Sequence, residues 1–128
     1  MIAVDTSTWM AFLQGESGED TELLDAALRD KHLLMVPAVL AEVLSDPKLP
    51  AEVARILAEL PLMELHPEYW QRAGELRAKV LAKRRKARLG HALIAQSCID
   101  SGSPLLTRDR EFRAFAEAAG LHLLIGPV

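Results

Sequence analysis

Cysteine is almost missing from this chain, with Cys98 the only one. A lone cysteine excludes an internal disulfide and a zinc site built on thiolates. Cys98 stands in an apolar helical run and reads as a small core residue. No apolar run approaches the roughly 20 residues that span a bilayer, which excludes a spanning helix and leaves no membrane partner. No signal-peptide pattern opens the chain, so the cytoplasm is the expected compartment. The turn Asp5-Thr6-Ser7-Thr8 lacks glycine, which argues against a dinucleotide-binding module. No Gly-Lys-Ser/Thr segment is present, which argues against a phosphate-loop ATPase. A haloacid-dehalogenase-type phosphatase would need a second aspartate two residues after Asp5, where Ser7 stands. No repeat or low-complexity segment occurs, and residues 1–128 read as a single domain.

Half of the residues are apolar and 26% are charged, which fits a soluble globular chain with one real core. The net charge of −3 hides an asymmetry. Residues 1–66 carry four Lys/Arg against twelve Asp/Glu, and residues 67–128 carry eleven against six. Eight of the fifteen basic residues lie between Arg72 and Arg88. An acidic pocket beside one basic stripe can hold a metal and still meet a polyanion.

The opening run Met1 to Val4 reads as a strand buried on both faces, ending in Asp5. Ser7 is a candidate cap for a helix from Thr8 to Leu13, although Asp5 itself could fill that role. A helix is expected near Thr21 to Asp30, then a strand at Leu33 to Val36 that Pro37 turns into another helix. Val39, Leu40, Val43 and Leu44 form that helix's apolar stripe, with Glu42 at its edge. A helix follows from Ala51 through Leu60, then a third strand over Pro61 to Leu65. The longest helix is expected from Pro67 to about Arg85, with Tyr69, Trp70, Ala73, Leu76, Val80 and Leu81 inward. Gly90 to Ser101 is apolar over most of its circumference and should be central. Strands at Pro104 to Thr107 and Leu121 to Ile125 flank a helix from Arg108 to Ala119, with Asp109 as its cap. This alternation implies an α/β fold with a mostly parallel five-stranded sheet and helices on both faces.

Asp5 and Asp109 each follow a strand, and Glu42 lies beyond another. In a parallel sheet such positions converge on one edge, where ligand sites lie. Carboxylates gathered in one site repel unless protonated or metal-bound, and oxygen donors without sulfur suit Mg²⁺ or Mn²⁺.

Four segments carry a family likeness. They are Ile2-Ala3-Val4-Asp5-Thr6-Ser7, Pro37-Ala38-Val39-Leu40-Ala41-Glu42-Val43, Ala92-Leu93-Ile94-Ala95-Gln96, and Leu105-Leu106-Thr107-Arg108-Asp109-Arg110-Glu111-Phe112. Together, in this order, they resemble the signature segments of PIN-domain ribonucleases, and more narrowly the VapC toxins of type II toxin–antitoxin systems. The resemblance implies a three-layer α/β/α sandwich and a Mg²⁺- or Mn²⁺-dependent endoribonuclease. It also implies a homodimer and a VapB-type antitoxin that blocks the site. On the same basis Asp5, Glu42 and Asp109 are the expected acidic catalytic and metal-site residues, with Thr6, Ser7 and Thr107 as small polar neighbours.

One position departs from the pattern. The family usually has an acid just before the Ala-Leu-Ile-Ala segment, and here His91 stands there. Either His91 is a nitrogen ligand that shifts preference from Mg²⁺ toward Mn²⁺, or it is a bystander that weakens the site. In the second case the chain would be a PIN-like module that binds RNA or antitoxin without cutting. The basic run Lys83, Arg84, Arg85, Lys86 and Arg88 precedes His91 and reads as an RNA-backbone contact, the plainer alternative being a solvated helix end. His32, His66 and His122 have no motif partners and read as structural.

Overall fold

The computed structural model describes residues 1–125; residues 126–128 of the expected 1–128 domain lie outside that description. Ile2–Val4 forms β1, and its chain runs straight into helix α1, Thr6–Leu13. The turn between them is made by Asp5, not Ser7: its carboxylate accepts the Ser7 backbone N–H, so Asp5 is the N-cap. The helix therefore begins two residues earlier than the sequence suggests, and capping and site geometry coincide in one side chain.

Helix α2 spans Glu19–Arg29 and β2 spans Leu33–Leu34. Pro37 occupies the first turn of α3, Pro37–Leu44, where its missing N–H costs nothing. Val39 and Val43 of that helix are buried, while Leu44 faces solvent. Helix α4, Ala51–Ala58, buries Leu57 and leaves Ile56 exposed. Helices α5, Tyr69–Ala82, and α6, Leu89–Ser101, follow, then β3, Leu105–Thr107, α7, Phe112–Ala119, and β4, Leu123–Ile125.

Among the described residues the sheet has four strands in the order β2-β1-β3-β4, every pair parallel. The expected third strand at Pro61 to Leu65 does not form. Met35 and Leu62 make a single parallel bridge, with Met35 N–H donating to Pro61 O and Met63 N–H to Met35 O. Pro61 has no N–H to extend the pairing, and of its neighbours only Met63 is buried, Leu62 and Leu65 lying exposed.

Consecutive strand residues Ala3 and Val4, and Leu105 and Leu106, are all buried. Side chains of neighbouring strand residues point to opposite faces, so both faces are covered, as in an α/β/α sandwich. Trp9, Leu24, Met35, Ile94, Phe112 and Phe115 fill the core between sheet and helices. Helix α5 meets α6 through Tyr69, whose hydroxyl donates to Leu93 O at 2.6 Å and accepts from Ser97 Oγ at 3.2 Å. Its outer side carries Trp70 and Leu81, both exposed, which corrects the expectation that they face inward. No helix among the described residues is long and apolar enough to cross a membrane.

The strand order fixes where a site can lie. From β1 the chain moves to β2 on one side, then returns past β1 to β3 and β4 on the other. The carboxyl ends of β1 and β3 therefore flank the topological switch point, the usual crevice for ligands in such sheets. Asp5 follows β1 and Asp109 follows β3 by two residues.

Candidate active site

Asp5 is buried, only 3% exposed, and its Oδ2 is gripped by three donors. Ser7 N and Ser7 Oγ donate at 3.2 and 2.7 Å, and Thr107 Oγ1 donates at 2.8 Å. Thr107 Oγ1 also accepts from Asp109 N at 3.0 Å, so one hydroxyl joins the two strand ends. Asp109 Oδ1 accepts from Glu111 N at 2.9 Å, a turn that aims Oδ2 elsewhere. That oxygen lies 3.1 Å from His91 Nε2.

Glu42, exposed on α3, is held differently. Its Oε1 accepts from Thr6 Oγ1 at 2.6 Å, and its Oε2 lies 3.6 Å from where a Cβ on Gly90 would stand. Thr6, next to Asp5, thus holds Glu42, His91 meets Asp109, and Thr107 joins Asp109 to Asp5. Asp5, Ser7, Thr107 and Asp109 are joined by hydrogen bonds, and Glu42 is bonded to Thr6. Among the described residues, however, Asp5, Glu42 and Asp109 do not bring their carboxylate oxygens within 4.8 Å of one another.

Helix α6 brings His91 there. Its N-terminal turn points into the crevice, and Phe112 packs against the imidazole with ring centroids 4.6 Å apart. His91 Nδ1 lies 3.2 Å from Glu111 Oε2. Sequence reasoning missed Glu111; an acid two residues beyond Asp109 was the only available signal. Ligand atoms of His91, Asp109 and Glu111 lie within 4.8 Å of one another and could hold a metal ion. His91 Nδ1 and Glu111 Oε2 are both buried atoms without a hydrogen-bond partner, their 3.2 Å contact being poorly aligned. The donor set, carboxylate oxygens with one imidazole, fits a divalent cation such as Mg²⁺ or Mn²⁺.

A second polar cluster braces the first. Arg108, between Thr107 and Asp109, turns its side chain away from the crevice toward α2. Its Nε and Nη2 each donate to buried Asp20 at 2.7 Å, a bidentate pair, and Thr8 Oγ1 adds a third bond at 2.9 Å. The Arg108 hydrogen bonds hold the Asp20 carboxyl below the usual carboxylate range, outweighing its burial. Arg108 N also donates to Ser7 Oγ at 3.3 Å. Beneath the site, burial and then the Asp5 carboxylate push the Cys98 thiol up to about 12, so it stays a protonated core group.

The basic run sits beside the crevice as a turn. Helix α5 ends at Ala82, three residues short of the expected end, and Arg84 takes a left-handed backbone with φ of 59°. Arg77 Nε donates to Ala87 O at 2.7 Å and ties the turn back to α5. Lys83, Arg84, Arg85, Lys86 and Arg88 are all exposed. Arg85 pairs with Glu117 at 2.8 Å, and Arg88 Nε lies 3.5 Å from Glu111 Oε2. Arg85, Lys86, Arg110, Glu111 and Ala114 line an open cavity of about 230 Å³ next to the acids. His32, His66 and His122 are exposed and stand apart from these hydrogen bonds.

The acids line a crevice at the switch point of a parallel sheet, where ligands bind in such folds, and a basic turn rims it. The chain belongs to the PIN domain family, whose model matches residues 2–118. Comparison with curated proteins gives no match. Solved structures share the fold. A chain of VapBC2 from Rickettsia felis, bound to a DNA fragment from its promoter, is 21% identical, with 97% of this chain and 98% of that one covered and a TM-score of 0.71. VapBC-5 from Mycobacterium tuberculosis, a member of the VapBC family of toxin–antitoxin systems, is 15% identical over 96% of both chains, with a TM-score of 0.67. FitAcB from Neisseria gonorrhoeae is 16% identical, with 98% and 97% covered and a TM-score of 0.69.

Proposed function

We propose that this chain is a VapC-like toxin, a Mg²⁺- or Mn²⁺-dependent endoribonuclease that a VapB-type antitoxin neutralises. The observation that carries the reading is that Asp5 and Asp109, at the ends of β1 and β3, are joined through Thr107, with Glu42 held by Thr6 and His91 against Asp109. This gathers negative charge at a ligand-binding crevice, a state that a divalent cation relieves. Asp5, Glu42 and Asp109 would hold the cation. When bound, it supplies Lewis-acid charge to a phosphodiester and lowers the pKa of water.

The chain's own residues do the rest. Ser7 and Thr107 hold Asp5 Oδ2 in one orientation, so the carboxylate is preorganised. Thr6 does the same for Glu42 and leaves Glu42 Oε2 open to accept a proton. Lys86 and Arg110, on the wall of the adjoining cavity, offer positive charge to the phosphates that flank the cleaved one. RNA is the proposed substrate, in the cytoplasm, and the exposed basic turn beside the crevice supports contact with a phosphate backbone.

The antitoxin reading rests on the structural relatives, which are toxin–antitoxin complexes. On this chain the exposed Ile56 of α4, beside half-buried Val53, forms the apolar wall such a partner would cover. Exposed Trp70 on α5 supports a dimer contact there for the proposed homodimer. His91 in place of the family's usual acid supports one rival, a module that binds RNA or antitoxin without cutting. The test is RNA cleavage by chelator-stripped protein with Mg²⁺ or Mn²⁺ restored. Cleavage that returns only with metal is expected; binding of RNA without cleavage under either metal would favour the rival.

A further inference from the structure

The loss of an acid at position 91 and the presence of one at position 111 belong together. Three parts of one short segment hold the His91 ring. Asp109 Oδ2 faces Nε2 at 3.1 Å, Glu111 Oε2 faces Nδ1 at 3.2 Å, and Phe112 lies against the ring face. A neutral imidazole carries a single N–H, so it can donate to one of these carboxylates and not both. The other nitrogen then presents a lone pair to a carboxylate oxygen, which is repulsive unless a proton or a metal cation sits between them.

The surroundings choose between the two nitrogens. Asp109 Oδ1 is already bound by Glu111 N, and Thr107, which accepts the Asp109 backbone N–H, ties the residue to Asp5. The Nε2 side therefore faces the Asp109 oxygen that is left free of that turn. The Nδ1 side faces Glu111, whose Oε2 is buried with no hydrogen-bond partner among the described residues and lies 3.5 Å from Arg88 Nε. A carboxylate that holds one imidazole N–H so that the other nitrogen can ligate is a recurring arrangement at metal sites.

We propose that Glu111 is a positioning residue that orients His91 through Nδ1, so that Nε2 joins Asp109 in holding the divalent cation. The acid missing at residue 91 is thereby replaced by an imidazole with a carboxylate behind it. This rests on the metal-site reading above, but its test does not depend on cleavage.

The probe is Mn²⁺ alone, added to the full chain. Calorimetric titration gives affinity, and pulsed electron paramagnetic resonance of bound Mn²⁺ reports a coordinated nitrogen. Wild type should show the nitrogen signature, and His91→Ala should lose it. Glu111→Ala should weaken Mn²⁺ binding by about 10–100-fold. Glu111→Gln keeps a side-chain oxygen that can accept the Nδ1 proton, so it should retain the signature and most of the affinity. The double variant His91→Ala with Glu111→Ala should bind no more weakly than His91→Ala. Bound Mn²⁺ without a nitrogen signature in the unmutated protein overturns the inference with no variant needed, and leaves a three-carboxylate nuclease standing. Glu111→Gln as weak as Glu111→Ala would make Glu111 a direct ligand and overturn its positioning role. A nitrogen signature in a protein that cuts no RNA would keep this inference and sink the nuclease reading.

Discussion

One hydroxyl sets the spacing of two acids that lie more than a hundred residues apart in sequence. Thr107 Oγ1 donates to Asp5 Oδ2 and accepts from Asp109 N, at 2.8 and 3.0 Å. Thr107→Val keeps the shape and removes both bonds. Metal affinity should fall roughly tenfold, the lower end for outer-sphere partners, while stability falls by about 1–2 kcal/mol. Calorimetry and a melting curve measure the two; unchanged affinity would show that the hydroxyl does not organise the site. Arg108 is a second such residue. Arg108→Ala would leave buried Asp20 without its partner. The cost should be about 2–3 kcal/mol, under the range for fully buried pairs because 35% of the Arg108 side chain is exposed. Because the folded Asp20 carboxyl is held below its unfolded value of 3.8, its contribution is full above that pH. It fades as pH falls through the lower folded value. Denaturant melts of wild type and Asp20→Asn should therefore differ most near neutral pH and converge in strong acid. A gap that persisted or widened in acid would contradict the assignment. Asp5 and Asp109 stand out in the sequence because each follows an apolar run, and Glu42 because it lies on the helix after another. Asp20 and Glu111 do not, since their roles depend on Arg108 and His91, partners that no local pattern points to.

The elements show where periodicity suffices and where it does not. Val39 and Val43, or Ala73, Leu76 and Val80, recur at helical spacing and are buried as that spacing requires. Trp70 and Leu81 fit the same stripe yet face solvent, because only tertiary packing decides how wide a buried face is. Apolar content also suggested a strand at Pro61 to Leu65. Pairing there stops at one bridge, since Pro61 cannot donate and Leu62 and Leu65 find nothing to pack on. The end of α5 matters most for function. The basic residues were expected on a helix; instead they form a turn from Lys83 onward that lies against the acids. The cavity picks out Lys86 and Arg110 rather than the whole run, since Arg85 is already paired with Glu117. Lys86→Ala with Arg110→Ala should weaken RNA binding irrespective of sequence. The slope of log affinity against log salt should shrink by about 1 for each phosphate-binding charge removed. Replacing Lys83 and Arg84 should change it less. Equal slopes in all variants would mark the turn as solvated charge.

At the scale of the whole molecule, alternation of strand and helix was enough to foresee a parallel sheet covered on both faces. The order β2-β1-β3-β4 was not readable, because pairing depends on which buried strands meet, and four short apolar runs look alike. That order places the switch point between Asp5 and Asp109 and so converts scattered acids into a site. A partner is expected at α4, which packs against α3, the helix that carries Glu42. Hydrogen exchange of Ala51–Ala58 should slow when a VapB-type antitoxin binds. Unaltered exchange there, in a complex that forms, would move the interface elsewhere. The metal-dependent nuclease stands or falls on Asp5. Asn keeps the size of the side chain, and its amide can still meet Ser7 and Thr107, but the charge that holds a cation is gone. The direct measurement is RNA cleavage by Asp5→Asn and wild type, both stripped with chelator and resupplied with Mg²⁺ or Mn²⁺, after matching melting curves. Wild type should regain cleavage with metal and folded Asp5→Asn should show none above background. Cleavage near the wild-type rate by the folded variant would contradict a metal site built on Asp5.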